Sequence, residues 1–338
     1  MKRYRFAFIG AGPVGGLAAL HLAQAGEPVA LADIKKEHMG AIARDGIYAD
    51  GLLNVDGGGL ETVALDRDAM QVKVEKVCLR ISDLAGFRPD FLVIATKAST
   101  LQVILPEIER VHKKPMKVIV MQNGIDNENV VAEVLGKKNT FRIVVNYAGS
   151  ILGDGRFRMS IFHRPNAIGC LAPGSEGIAR EAAEVFSRSA LETRYVDDIK
   201  FHEWRKAILN SALSTVCSIS GLTMSEAMAF PPTRATAENI LREGIAVARA
   251  LGYDYGGDFF ERAVEYLETS GPHKPSMMLD LEQKLPTEIE FITEKMIEYA
   301  GRRNVDTPYL KAVTAFIKAW DLVNAKERAG AGPGKTRT

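Results

Sequence analysis

The run Gly10-Ala11-Gly12-Pro13-Val14-Gly15 constrains this chain more than any other feature. It is a GxGxxG turn, and its neighbours decide its meaning. Residues 5–9 form a short apolar run that reads as a β-strand. Residues 14–24 carry a helical pattern that Gly26 can end. A second strand over residues 28–32 reaches Asp33. Strand, tight turn, helix and strand within about thirty residues make one βαβ unit. Gly10 lets the chain turn sharply, Gly12 leaves room for a pyrophosphate to approach the backbone, and Gly15 lets the helix pack closely on the sheet. Amides at the helix start meet phosphate oxygens with favourable partial charge. Pro13 fits there because a first-turn N–H is not needed. The plainer alternative is a purely structural turn.

Asp33 closes the second strand 18 residues after Gly15. A carboxylate there accepts hydrogen bonds from a ribose 2′-OH and repels a 2′-phosphate, which favours NAD(H) over NADP(H). Lys35 and Lys36 follow at once and can bend round a phosphate. The alternative for Asp33 is a solvated strand end. FAD uses the same fingerprint, but no second feature argues for a flavin.

Further buried-strand patterns at residues 90–95 and 117–121, with helical spacing over 100–111 and 176–189, extend the alternation. Residues 141–147, 167–171 and 193–196 read as additional or edge strands. Apolar strands separated by helices predict a mostly parallel sheet, with ligands at the carboxyl ends of its strands. Between residues 46 and 83, Gly57, Gly58 and Gly59 break the pattern, and strands are expected at 61–65 and 72–79. From Asp198 the chain turns helical, at about 199–217, 233–251, 256–269, 287–303 and 307–325. Thr287 is placed to cap the fourth of these, with Glu290 as its capping-box partner. A domain boundary falls near 197–200, giving a sheet domain over 1–197, a helical domain over 198–328, and a loose tail over 329–338.

Forty-three Lys plus Arg oppose 42 Asp plus Glu, a net charge of +1. That balance offers no global field for nucleic acid, so no nucleic-acid partner is expected. Cys78, Cys170 and Cys217 form no CxxC, and the six histidines show no ligand spacing, so no metal is expected. The N-terminal apolar run is too short and glycine-broken for a signal peptide, and no apolar run reaches 18 residues. A cytoplasmic protein without a membrane partner is expected. Apolar helix faces in the second half leave a homodimer open.

Candidate catalytic groups lie at strand ends and on the later helices. Lys97 follows the DFLVIAT strand, and Asn123 follows VIVMQ ahead of Gly124. Surface solvation and a turn role are the alternatives for these two. In WRKAILN, Lys206 and Asn210 stand four apart on one helix face, with Leu213 or Ser214 a turn later. A lysine held there can protonate a carbonyl oxygen while the asparagine orients the same substrate. It can equally snorkel over the helix surface. Ser276, in KPSMMLD, can hold a carboxylate. Glu288, twelve residues on, would keep a nearby lysine charged. Taken singly, they also read as a loop serine and a helix-start glutamate.

The ordered set GAGPVG, Lys97, QNG, WRKAILN and KPSMMLD followed by Glu288 resembles the 2-dehydropantoate 2-reductase (ketopantoate reductase) family across nearly the whole chain. The resemblance implies a Rossmann-type α/β domain and an all-α C-terminal domain of the 6-phosphogluconate dehydrogenase C-terminal-like kind, with the active site in the cleft between them. It implies an oxidoreductase that reduces 2-dehydropantoate to (R)-pantoate with NADPH, on the route to pantothenate. Lys206 matches the family's general acid. Asn210, Ser276 and Glu288 match its substrate-holding residues, while Lys97 and Asn123 match groups that contact cofactor or line the cleft. Members that use NADPH carry an Arg where this chain has Ile34. Many carry an Asn where it has Ser214. An NAD-dependent D-2-hydroxyacid dehydrogenase for another branched or aromatic 2-oxoacid resembles the chain too. A silent NAD(P)-binding regulator is the alternative outside enzymes.

Overall fold

The computed structural model describes residues 2–50, 70–112 and 116–330. The chain divides into two compact units, one holding residues up to Gln122 together with Asp126–His202, the other holding Asn123–Ile125 and the chain from Glu203 onward.

The first unit opens with β1 (Phe6–Ile9), α1 (Pro13–Gln24), β2 (Val29–Ala32), α2 (Lys36–Asp45), β3 (Ile47–Asp50), β4 (Met70–Val72) and β5 (Lys76–Cys78). It continues through β6 (Phe91–Ile94), α3 (Leu101–Val111), β7 (Lys117–Val120), α4 (Asn127–Leu135) and β8 (Thr140–Val144). It closes with β9 (Tyr147–Gly153), β10 (Arg156–Phe162), β11 (Asn166–Cys170), α5 (Glu176–Arg188) and β12 (Thr193–Tyr195). Eight strands form one sheet in the order β12-β11-β8-β7-β6-β1-β2-β5. The stretch β5-β2-β1-β6-β7-β8 is parallel throughout, which is the doubly wound Rossmann order. β11 joins antiparallel to β8. The sequences FAFI, VALA and FLVI of β1, β2 and β6 are buried on both faces, which is why they are continuously apolar.

A second sheet, β4-β3-β10-β9, packs against α1. In β10 (RFRMSIF) the arginines are exposed while Phe157 and Met159 are buried, a period of two that suits one solvated face. The Phe157 ring lies where a Cβ on Gly16 would come within 2.4 Å of Cζ, so α1 must present glycine there.

The second unit is helical: α6 (Ile199–Ser220, shared at its start with the first unit), α7 (Met224–Ala229), α8 (Pro231–Ala250), α9 (Phe259–Glu268), α10 (Ser276–Glu282), α11 (Lys295–Arg302) and α12 (Pro308–Gly330). Its core joins Trp204, Ile208, Ile240, Met277, Ile289 and Met296.

Several expectations need correcting. The strand expected over 72–79 is two strands in two different sheets, because the chain crosses between them after Val72. The strand expected over 141–147 ends at Val144, and Tyr147 begins β9 of the other sheet. The helix expected from 287 starts at Ile289 and runs through a π segment, Glu290–Glu294. Thr287 does not cap it, because the helix starts two residues later; its hydroxyl donates to Asp321 Oδ2 at 2.5 Å instead. The expected strand at 61–65, the three glycines at 57–59 and the tail from 331 lie outside the described residues. α12 itself runs to Gly330. No helix among the described residues is long and apolar enough to cross a membrane.

Candidate active site

The glycine turn joins β1 to α1, and its three glycines have different surroundings. Gly10 has φ of +100°, and a Cβ there would lie 2.8 Å from the Ala95–Thr96 peptide. A Cβ on Gly15 would lie 2.1 Å from the Gly10 carbonyl oxygen and 2.9 Å from Ala95 Cβ. Both are glycine because backbone and sheet press on them. Gly12 is different: nothing lies within 4 Å of the Cβ it lacks. It begins α1 without a side-chain cap, and Pro13 follows. The helix start thus offers unpaired amides beside open space, which fits a pyrophosphate.

Asp33 braces this turn from the end of β2. Its Oδ2 accepts the Ala11 N–H at 2.9 Å and its Oδ1 accepts the Lys35 N–H at 3.1 Å. Each oxygen keeps a second lone pair for a ribose hydroxyl. Ile34 is 86% exposed, and Lys35 and Lys36 are exposed. A pocket of about 820 Å³ opens beside Ile34 and is lined by Lys36, Lys76, Leu79 and Arg80. Two of its cations are already engaged, Lys76 with the Asp83 carbonyl at 2.7 Å and Arg80 with the Asp83 carboxylate at 3.1 Å.

Lys97 stands at the end of β6, half-buried, and its carbonyl accepts from Gln122 Nε2 at 3.1 Å. Gln122 also reaches Thr96 Oγ1 at 3.2 Å. Gly10 through Gly15, Asp33 and Lys97 are therefore gathered at the carboxyl ends of β1, β2 and β6.

The remaining candidates fall in the helical unit. Lys206 and Asn210 are half-buried, one turn apart on α6. Ser214, a turn further, is buried. Ser276 is exposed at the start of α10. Its loop is tied down where Met224 donates to the His273 carbonyl at 3.1 Å and Lys274 meets Glu282 at 2.6 Å. Burial pushes the His273 imidazole below its ordinary value.

Glu288 is half-buried and stands two residues before the π segment. Such segments often mark functional positions in helices. α6 packs on α11, which continues directly from the π segment: Ser211 Oγ lies 3.3 Å from Met296 Sδ, and the Trp204 ring meets Tyr299 edge-on at 5.3 Å. Asn123 belongs here as well. Gly124, with φ of +109°, turns the chain, and Ile125 donates its N–H to the Phe291 carbonyl in the π segment at 2.8 Å. Asn123, Lys206, Asn210, Ser276 and Glu288 are thus carried by elements that share one core.

Comparison with known proteins follows the same division. The family described as ketopantoate reductase PanE/ApbA matches residues 6–173, and its C-terminal counterpart matches residues 198–321. The chain belongs to the ketopantoate reductase family. A 2-dehydropantoate 2-reductase of Pyrococcus horikoshii is 28% identical over 336 residues, covering 98% of this chain and 99% of its own. Another from Lactococcus lactis is 28% identical, covering 95% and 100%. The fold is also that of a D-mandelate dehydrogenase solved with NADH and anilino(oxo)acetate, at a TM-score of 0.82 and 24% identity, covering 95% of this chain and 99% of that one.

Two contributors to this ketopantoate reductase architecture escaped the sequence reading. Gln122 sits in the QNG run already singled out, so its position beside Asn123 was a usable signal. His38 carried none, since its role depends on a hairpin more than a hundred residues away.

Proposed function

We propose that this chain reduces 2-dehydropantoate to (R)-pantoate, using NADH in preference to NADPH. The observation that carries it is the family match over both halves of the chain. The nicotinamide cofactor supplies a hydride for the C2 carbonyl carbon. Gly10, Ala11, Gly12, Pro13, Val14 and Gly15 form its pyrophosphate seat, Asp33 takes the ribose, and Lys97 and Asn123 complete the cofactor contacts. Lys206 is the general acid: its ammonium donates a proton to the C2 oxygen as negative charge develops there. Asn210 orients that oxygen, and Asn123 helps to line the substrate site. Ser276 takes the carboxylate, and Glu288 favours the charged lysine while engaging the substrate's hydroxyl end.

Asp33 and the exposed Ile34 support NADH, because neither offers a partner for a 2′-phosphate. Comparing kcat/KM for the two cofactors tests this, and a strong preference for NADPH would overturn it. A second reading, an NAD-dependent D-2-hydroxyacid dehydrogenase for another branched or aromatic 2-oxoacid, is favoured by the small, buried Ser214 beside Asn210. A panel of 2-oxoacids that includes 2-dehydropantoate decides between them. No turnover with any of them, alongside firm NADH binding, would point instead to a silent regulator.

The setting is cytoplasmic in this reading, which suits the free, buried thiols of Cys78 and Cys217. A homodimer is supported by α12, which exposes Tyr309, Phe316, Trp320 and Val323 at spacings that keep them on one stripe. Light scattering of the purified chain checks it.

A further inference from the structure

Both peptide groups flanking the Ala11 Cα are held in place. The N–H donates to Asp33, as described. The carbonyl, 3.0 Å from His38 Nε2, accepts from it. His38 lies on α2 and is 3% exposed. Its Nδ1 accepts the Gly155 N–H at 3.1 Å, so the ring proton sits on Nε2 and points at Ala11. The Phe157 ring meets the imidazole edge-on at 5.5 Å, and the Asp154 carboxylate lies 3.7 Å from Nδ1. Gly155 has φ of +70° in the turn between β9 and β10, and its own carbonyl accepts from Tyr48.

The same hairpin holds the start of α1 at two more points. Tyr147 donates its hydroxyl to the Val14 carbonyl at 2.8 Å, and Phe157 fills the space beside Gly16. His38 is the member of this set that reaches the turn itself. A trans peptide is planar, so fixing the Ala11 carbonyl fixes the Gly12 N–H in the opposite direction. Gly12 is the residue whose Cα borders open space.

We propose, on the footing that the first unit holds a nicotinamide dinucleotide, that His38 is a positioning residue for that cofactor. It locks the Ala11–Gly12 peptide so that the Gly12 amide faces the pyrophosphate, and it makes the second sheet part of the dinucleotide site.

Two substitutions separate its two bonds. In His38→Gln the amide nitrogen replaces Nε2 and keeps the bond to Ala11. In His38→Asn the amide oxygen replaces Nδ1 and keeps the bond to Gly155 while Ala11 loses its donor. NADH affinity, read by fluorescence titration, should stay within about threefold of wild type in H38Q and weaken about tenfold in H38N. KM for NADH should follow, with kcat at saturating NADH within about twofold. Thermal melting should fall by similar amounts in both variants, since each loses one buried bond.

Unchanged NADH affinity in a folded H38N, or equal losses in both variants, would overturn the proposal. Should H38N fail to fold, H38Q still decides, because a tenfold loss there contradicts the assignment. Failure of the wild-type protein to bind NADH would instead remove the cofactor reading and the proposal with it.

Discussion

The two units build their functional groups in opposite ways. In the sheet unit the proposed cofactor seat is mostly backbone, formed where side chains are missing, with the Asp33 carboxylate and Lys97 beside it. Gly10 and Gly15 are crowded, Gly12 is open, and Asp33 and His38 hold the turn from its two sides. In the helical unit the proposed groups are side chains spread over more than 160 residues, carried by elements that share a core. A seat made of backbone is sensitive to volume, whereas a site made of side chains is sensitive to chemistry. Substitutions in the first unit should therefore act on cofactor affinity and those in the second on turnover, with Asn123, proposed to serve both, as the exception.

The largest expected effect tests that division directly. Replacing Lys206 by Ala should lower kcat by about 10²- to 10⁴-fold, the worth of a positioned proton donor. The Kd for NADH should stay within about twofold. Full turnover in K206A would remove Lys206 as the acid, and a large loss of NADH affinity would blur the line between the units.

The next effect belongs to the sheet unit alone and appears only in acid. His21 is buried on α1, and burial holds its imidazole down at about 4 against an ordinary 6.5, despite a hydrogen bond with the Ser189 backbone. The folded state therefore keeps His21 neutral at a pH where the unfolded chain takes up a proton. Its contribution is intact above pH 6.5 and is lost as pH falls toward 4, by about 3 kcal/mol in all. Urea unfolding followed across that range should show a steeper decline for wild type than for His21→Gln. Parallel curves would mean that His21 does not titrate in this window.

Gly12 and Gly15 make a matched pair. Gly15→Ala forces a Cβ against the Gly10 carbonyl and should destabilise the protein by about 1–3 kcal/mol, with NADH binding lost alongside. Gly12→Ala meets no protein atom and should leave the melting temperature within a degree or two while weakening NADH. Equal melting losses in both would show that the space beside Gly12 is not open, and unchanged NADH affinity in Gly12→Ala would show that the cofactor does not use it.

These contrasts track how far the fold and site can be read from the residues alone. β1, α1 and β2 are legible because their pattern is local, with apolar runs and glycines in direct succession. The second sheet is not, although β10 alternates cleanly. Its partner β3 lies more than a hundred residues away in sequence, and the runs 72–79 and 141–147 each straddle two sheets without a break in composition. In the helical unit, Lys206 and Asn210 are legible as an i, i+4 pair, whereas the π segment beside Glu288 is not. Its Phe291 carbonyl accepts from Ile125, a partner no periodicity can announce. His38 failed to stand out for the same reason.

The smallest expected effect concerns how the helical unit is held together. Glu243, half-buried on α8, accepts the N–H groups of Tyr309 and Leu310, both at 2.8 Å. These are second and third in α12, so a side chain from another helix caps its start, where the buried Thr307 hydroxyl makes no hydrogen bond. Burial pushes the Glu243 carboxyl above its ordinary value, and the two N–H groups oppose that push. Glu243→Ala should leave both amides without their acceptor and cost about 1–2 kcal/mol, while Glu243→Gln, which keeps one acceptor oxygen, should cost less. Both should leave the Kd for NADH untouched, since nothing in the glycine turn depends on α12. A melting temperature unchanged in E243A would show that solvent replaces the cap at no cost. A weakened Kd would mean that the seating of α12 on α8 matters to cofactor binding, beyond the contact proposed for Asn123, and the division of labour between backbone seat and side-chain site would have to be redrawn.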